Sequence, residues 1–240
     1  IEVVFVGGAV LDAPGAEGAV SLMTSLLSEG AGGLDAQGWA AAVEDTAGGI
    51  SFASGRDTVT LTIRALSEDL DAVLDLARLA LVEPAFDAAA IERVRGQQLS
   101  ALQRAARNPN TIASRAFGEL AWDGHPYARP SDGTPESVAT LTRDDLLAAH
   151  RAAFRRDRVF AGAAGDISAA ALAAVLDRLL GDLPEGGDDD LPPYARFIAA
   201  PGVTVIDHPA PQSVVAFGHV GIHREDPDFT AAFVENEIFD

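Results

Sequence analysis

The chain has 240 residues, with 36 acidic against 17 basic side chains and a formal charge of −19 at pH 7. That imbalance argues against a nucleic-acid partner. The absence of cysteine excludes a disulfide framework, a thiolate nucleophile and a cysteine-bound zinc, and a 48% apolar share excludes a disordered or collagen-like chain. All 17 basic residues are arginine, which fits a GC-rich coding style better than a surface chemistry. No apolar run reaches the roughly 18–20 residues of a membrane span. The chain opens at Ile1 without an initiator Met or a signal-type segment, so a processed or trimmed start is expected.

Residues Ile1 to Val10 read as an apolar strand interrupted by Gly7 and Gly8, and Asp12-Ala13-Pro14-Gly15 turns into a helix from about Gly18 to Glu29. Val20, Met23 and Leu27, with Leu22 and Leu26 beside them, give that helix a core side, and Gly30 ends it. Asp35 caps a short helix with Trp39 and Val43, ended by Gly48-Gly49. Ile50 to Ser54 and an alternating run of Val59, Leu61, Ile63 and Ala65 among Thr58, Thr60, Thr62 and Arg64 form a hairpin through Gly55-Arg56-Asp57. Ser67-Glu68-Asp69 caps a helix with Leu70, Val73, Leu74, Ala77 and Leu81 inward, stopped at Glu83-Pro84. A polar helix spans about Asp87 to Arg107. Asn108-Pro109-Asn110 breaks it, and another helix reaches about Trp122. Asp123 to Pro135 is a loop. Thr142 caps a helix through Phe154, Val159 to Ala164 is a strand, and Ser168 caps a helix through Leu180. This order implies an α+β lobe, an antiparallel sheet packed by helices, over residues 1–181.

The acidic, Pro- and Gly-rich stretch over 182–197 reads as a linker. After it, Val214 to Gly218, the Asp226-Pro227 turn and an apolar helix from Phe229 to Phe239 repeat the opening order of strand, glycine, turn and helix. Residues 198–240 are therefore read as the start of a second, homologous lobe, truncated in this chain.

The helix Gly18-Ala19-Val20-Ser21-Leu22-Met23-Thr24-Ser25-Leu26-Leu27-Ser28-Glu29-Gly30, behind its Gly-Gly strand and Asp-x-Pro-Gly turn, resembles the first helix of the insulinase/pitrilysin family of zinc peptidases. Further matches follow in order: Phe86-Asp87, Ile91 to Arg95, His125-Pro126-Tyr127-Ala128-Arg129-Pro130, Gly133 to Ser137, Leu141 to Leu146 and Gly165-Asp166. The resemblance covers the whole chain and implies tandem peptidase-like lobes. It also implies an inverted zinc motif, H-x-x-E-H, whose two imidazoles share a helix face while the Glu polarises bound water. Here those positions hold Ser21, Thr24 and Ser25, and the position of the distal glutamate ligand holds Ala101, preceded by Ser100. Neutral hydroxyls are poor zinc ligands, so no zinc or other cofactor is expected and Ser21, Thr24 and Ser25 read as a polar stripe on an amphipathic helix. A serine nucleophile at Ser21 or Ser25 would need a base and an oxyanion hole, for which the sequence has no sign.

The resemblance is to non-catalytic bacterial members of the family. It implies a metal-free subunit of a split peptidase, paired as a heterodimer with a zinc-bearing paralogue and helping to enclose and position peptide substrates. An Arg/Tyr pair that polarises the scissile carbonyl would fall beyond Asp240. The alternative is a scaffolding subunit of the same fold with no part in proteolysis, and an autonomous zinc peptidase is the least favoured reading. A bacterial, periplasmic setting is expected, and the acidic surface would steer basic peptides.

His219 and His223, four apart with Glu225, Asp226 and Asp228 behind them, suggest a metal site, but Gly218 and Gly221 oppose a helix there, and they read as surface histidines. His125 reads as a loop-packing residue, His150 as a boundary residue of its helix, and Asp188-Asp189-Asp190 as solvated linker.

Overall fold

Alternating side chains build the sheet, and their inward face decides where the helices dock. In the computed structural model, which describes residues 1–186 and 191–239, the elements follow in order: β1 (Glu2–Val6), α1 (Ala19–Leu26), α2 (Ala36–Asp45), β2 (Gly49–Ser54), β3 (Thr58–Arg64), α3 (Leu70–Val82), α4 (Ala88–Ala105), α5 (Pro109–Ala121), α6 (Pro135–Thr140), α7 (Arg143–Ala153), β4 (Val159–Gly162), α8 (Ala169–Leu180) and α9 (Phe229–Phe239). The four strands lie in the order β2-β3-β1-β4, every neighbouring pair antiparallel. Val3 faces Leu61, Phe5 faces Val59 and Ile50 faces Ile63 across the ladders. Val3, Phe5, Val59 and Leu61 are fully buried, so the expected two-residue period marks the core face, and Phe154 beyond α7 meets Phe5 edge-on at 4.9 Å.

α1 is the centre of the lobe, touching α7, α4 and β2. Leu22, Met23, Leu26 and Leu27 are all buried to within 1% exposure; at about 25 cal/mol per Å² of apolar surface, each is worth roughly 1.5–3 kcal/mol before ordering entropy. α3 covers β2 and β3 from the same face, with Val73, Leu74, Ala77 and Leu81 buried, and α8 packs on α3. Arg95 is a buried cation whose guanidinium donates to the carbonyls of Val138 and Leu141, tying α4 to α6 and to the residue that ends it.

Two expectations need correction and a third a refinement. The first strand stops at Val6, because Gly7 takes φ +115° and the chain then bonds to the β2–β3 turn, Gly7 N–H to Asp57 and Ala9 N–H to Gly55, before a 3-10 turn over Ala9–Leu11. The loop expected over Asp123 to Pro135 holds except for a 3-10 turn over Pro126–Ala128, and α6 follows from Pro135 with a capping box of Thr134 and Ser137. The strand expected at Val214–Phe217 does not form: among the described residues, 191–228 hold no helix or strand, and Val215 and Phe217 are 77% and 89% exposed. A strand needs a partner for its N–H and C=O groups, and among the described residues no strand pairs with this segment. The helix expected after it is α9. The run Asp188-Asp189-Asp190 lies outside the described residues. Among those described, no helix is long and apolar enough to cross a membrane.

Candidate functional site

The helix that carries the three hydroxyls is fixed from its N-terminal end. Asp12 is buried, and its carboxylate accepts from the backbone N–H of Gly18 at 2.7 Å and of Val20 at 2.9 Å, satisfying two of the free donors of α1. Burial pushes this carboxyl up to about 6, against the pull of those two N–H groups and of Arg129. Gly18 itself takes φ +90°, and a Cβ there would meet the Asp132 carbonyl at 2.7 Å. The loop before α6 therefore presses directly on the start of α1, and Ser137 Oγ holds it there by donating to the Glu17 carbonyl at 2.7 Å.

On this fixed helix the expected polar stripe divides in two. Four residues advance the helix by about 400° and three by about 300°, so Ser21 and Ser25 share an outward seam while Thr24 turns away from it. Ser21 is half-buried and its hydroxyl donates to Asp132 Oδ1 at 3.0 Å; Ser25 is exposed and donates to the Ser21 carbonyl at 3.0 Å. Thr24 is 4% exposed, with its hydroxyl buried and lacking a partner among the described residues. It belongs to the core side rather than to a solvent stripe.

α4 runs antiparallel to α1: Arg93 pairs with Glu29 beyond the end of α1, and Gln98 Nε2 donates to the Asp132 carbonyl at 2.9 Å and reaches that of Gly18 at 3.5 Å. Ala101 follows Gln98 by three residues and is exposed, as is Ser100, whose hydroxyl bonds back to the Gly96 carbonyl at 2.8 Å. The side chains at and beside these positions on α1 and α4 are thus four hydroxyls, those of Ser21, Thr24, Ser25 and Ser100, with the Gln98 amide and the Ala101 methyl group. That set does not fit zinc, which takes imidazole, thiolate or carboxylate, and among the described residues no three His, Asp or Glu side chains converge as metal ligands would.

Asp12, Gln98 and Asp132, which hold these elements together, carry no local sequence signal, because each acts on residues distant in the chain. The same holds for the cluster at the β2–β3 turn, where Arg56 lies 5.1 Å over the Tyr127 ring and donates to the Tyr127 carbonyl, and Tyr127 OH donates to Asp57 at 2.8 Å. Burial, and then Asp57 beside it, push the Tyr127 phenol above its ordinary value.

The histidines are dispersed. His125 Nδ1 accepts from Tyr127 N–H at 3.1 Å, so Nε2 is the donor to the Pro193 carbonyl at 2.8 Å, and the ring packs edge-on against Tyr127 at 4.7 Å. It joins its loop to the following segment, where Ile198 N–H bonds to the Ala121 carbonyl and Phe197 packs on Trp122 at 5.8 Å. His150 is half-buried, as a boundary residue of its helix should be, with its ring between Phe86 and Phe154, and burial lowers it to about 4. His219 bonds to the Val220 carbonyl and His223 lies 3.9 Å from Glu225; both are exposed.

Residues 1–134 match the family described as Insulinase (Peptidase family M16), and residues 140–240 match the one described as Peptidase M16 inactive domain. A Helicobacter pylori protein named Non-peptidase homolog YmxG is 26% identical over 186 residues, which is 78% of this chain and 43% of that protein. The probable mitochondrial-processing peptidase subunit beta of Schizosaccharomyces pombe is 27% identical over 165 residues, 66% of this chain and 35% of its own. The crystal structure of a peptidase M16 inactive domain from Pseudomonas fluorescens superposes with a TM-score of 0.79 at 25% identity, covering 99% of this chain and 57% of that one. The chain spans less than half the length of these two curated relatives. It belongs to the insulinase family, peptidase family M16, and resembles the family's non-catalytic members.

Proposed function

We propose that this chain is part of a metal-free subunit that pairs with a zinc-bearing paralogue and helps to enclose and position peptides. The observation that carries the reading is the donor set on α1 and α4, where Ser21, Thr24, Ser25 and Ala101 offer three hydroxyls and a methyl group in place of two imidazoles and two carboxylates. The similarity to a Helicobacter protein named a non-peptidase homolog and to a Pseudomonas structure of an inactive domain supports it. The peptide's place in this reading is the free edge of β2, which pairs on one side with β3 and packs beside α1. An extended peptide adding a strand there gains main-chain hydrogen bonds with little demand on its side chains, next to the seam of Ser21 and Ser25.

The test takes the full-length protein and the paralogue, each alone and then mixed, and follows peptide hydrolysis, zinc content and association by sedimentation. The expected result is no hydrolysis and no stoichiometric zinc in this protein alone. The mixture is expected to form a stable complex with chelator-sensitive hydrolysis exceeding that of the paralogue. Chelator-sensitive cleavage by this protein unaided, or failure to associate, overturns the reading. A complex that forms without any gain in hydrolysis supports the scaffolding alternative instead.

A further inference from the structure

The β2–β3 turn, α5 and the loop over 127–132 border an open depression of about 400 Å³ whose lining includes three arginines, Arg56, Arg115 and Arg129. In a chain with a formal charge of −19, this is a local reversal of sign. The one acidic residue lining the depression, Asp132, already accepts from Ser21 Oγ. Arg129 is paired with Glu17 at 3.5 Å, but Arg56 and Arg115 have no carboxylate within ion-pair distance among the described residues. Arg56 is also held in place: it lies over the Tyr127 ring and donates to the Tyr127 carbonyl, while Asp57 fixes the Tyr127 hydroxyl. A guanidinium oriented in this way keeps its remaining N–H donors for a planar anion and has less side-chain freedom to lose on binding one.

The position of the depression says which anion. Arg56 follows the last residue of β2 by two positions, so a peptide lying along the free edge of β2 reaches the depression at the end of its track. We infer that this depression binds a carboxylate of the docked peptide, either an acidic side chain or the free C-terminus. The inference rests on the peptide-binding reading above and adds a preference opposite to the one expected from the acidic surface, which attracts basic peptides at long range.

The test measures fluorescence anisotropy of labelled decapeptides of one parent sequence against the full-length protein. One peptide carries a Glu and a C-terminal amide, one a Gln and a free C-terminus, and one a Gln and an amide. At least one carboxylate-bearing peptide is expected to bind about tenfold or more tighter than the neutral one, as one charge-assisted contact allows, and the better of the two identifies the carboxylate source. The preference should shrink from 0.05 to 0.5 M salt, where charge interactions are increasingly screened, about 8 Å being the screening length at physiological ionic strength. Arg56→Gln and Arg115→Gln should each erode the preference. Because Arg115 lies half-buried on α5, Arg115→Glu is a second variant, and thermal melting checks that all three variants fold. Equal binding of all three peptides, or a preference that survives both Arg→Gln changes, overturns the inference while leaving the peptide track intact. Binding of none of them at 1 mM overturns the inference too, whereas the wider reading is decided separately by association with the paralogue.

Discussion

Replacing Thr24 by valine exchanges a hydroxyl for a methyl group at a site that is 4% exposed, where Thr24 Oγ1 has no hydrogen-bond partner among the described residues. A buried hydroxyl without a partner costs about 1–3 kcal/mol by mutational measures. Valine fills nearly the same volume, and the two residues have nearly equal helix propensity, so neither packing nor backbone preference offsets the gain. We expect Thr24→Val to stabilise the lobe by about 1 kcal/mol, a rise in Tm of about 2–4 °C for a domain of this size. Urea denaturation should show a higher midpoint with an unchanged slope. Ser25→Ala, on the exposed seam, should stay within about 0.5 kcal/mol of the parent. Thr24→Glu, which places at this position the residue type of the resembled motif, buries a carboxyl among apolar neighbours and should cost several kcal/mol. A loss of stability in Thr24→Val would instead mean that the hydroxyl is satisfied in the folded chain.

Four further outcomes follow from the same geometry. His150 is lowered to about 4 in the folded chain, so the stability its neutral form contributes is present above its unfolded value of about 6.5 and is lost as pH falls toward 4; from pH 6 to 4.5 the gap between His150→Leu and the parent should widen by about 2 kcal/mol in the variant's favour. Asp12, raised to about 6, has the opposite sign: the native state takes up the proton first, so the parent should gain on Asp12→Asn by a similar amount over the same window, and chemical denaturation at a series of pH values reads both. Arg95→Met should destabilise by about 2–4 kcal/mol, because it leaves the carbonyls of Val138 and Leu141 without their donor. A control on helix direction is Ser21→His with Ser25→His, which puts two imidazoles on the exposed seam. Adding Ala101→Glu should tighten zinc binding by at least about tenfold in titration calorimetry, and no tightening would refute the matching of Ala101 to the third ligand position.

Local rules made the lobe legible. Asp35, Asp87, Asn108, Thr142 and Ser168 each accept from a backbone N–H at a helix start, as capping residues should, and Val59, Leu61 and Ile63 point inward as their alternation requires. Reading failed where distant residues decide the outcome. Val214 to Phe217 has strand composition, yet strand formation depends on a neighbour, not on composition. Thr24 looks like a surface residue next to Ser25, yet three residues of helical advance put it in the core. Asp12 looks like turn chemistry, yet its carboxylate caps a helix six residues on. The arginine depression draws on the hairpin turn, α5 and a loop far apart in the chain, and no window of sequence contains it.

On the proposed reading, the division of α1 explains how a lobe of this family can keep its architecture without the side chains of the resembled zinc motif. What holds α1 is the buried set Leu22, Met23, Leu26 and Leu27, the Asp12 carboxylate at its N-terminus and the Ser137 hydroxyl on the turn before it. None of these occupies a motif position. Ser21 and Ser25 lie on the seam left over once those contacts are made, and Ala101 is exposed on α4, so their identity is free to change at a cost of a few tenths of a kcal/mol. Only Thr24 is coupled to the core, and there the present residue is slightly worse than an apolar one. The fold therefore exerts little pressure on the seam, and any constraint on Ser21, Ser25 or Ala101 must come from what docks against them.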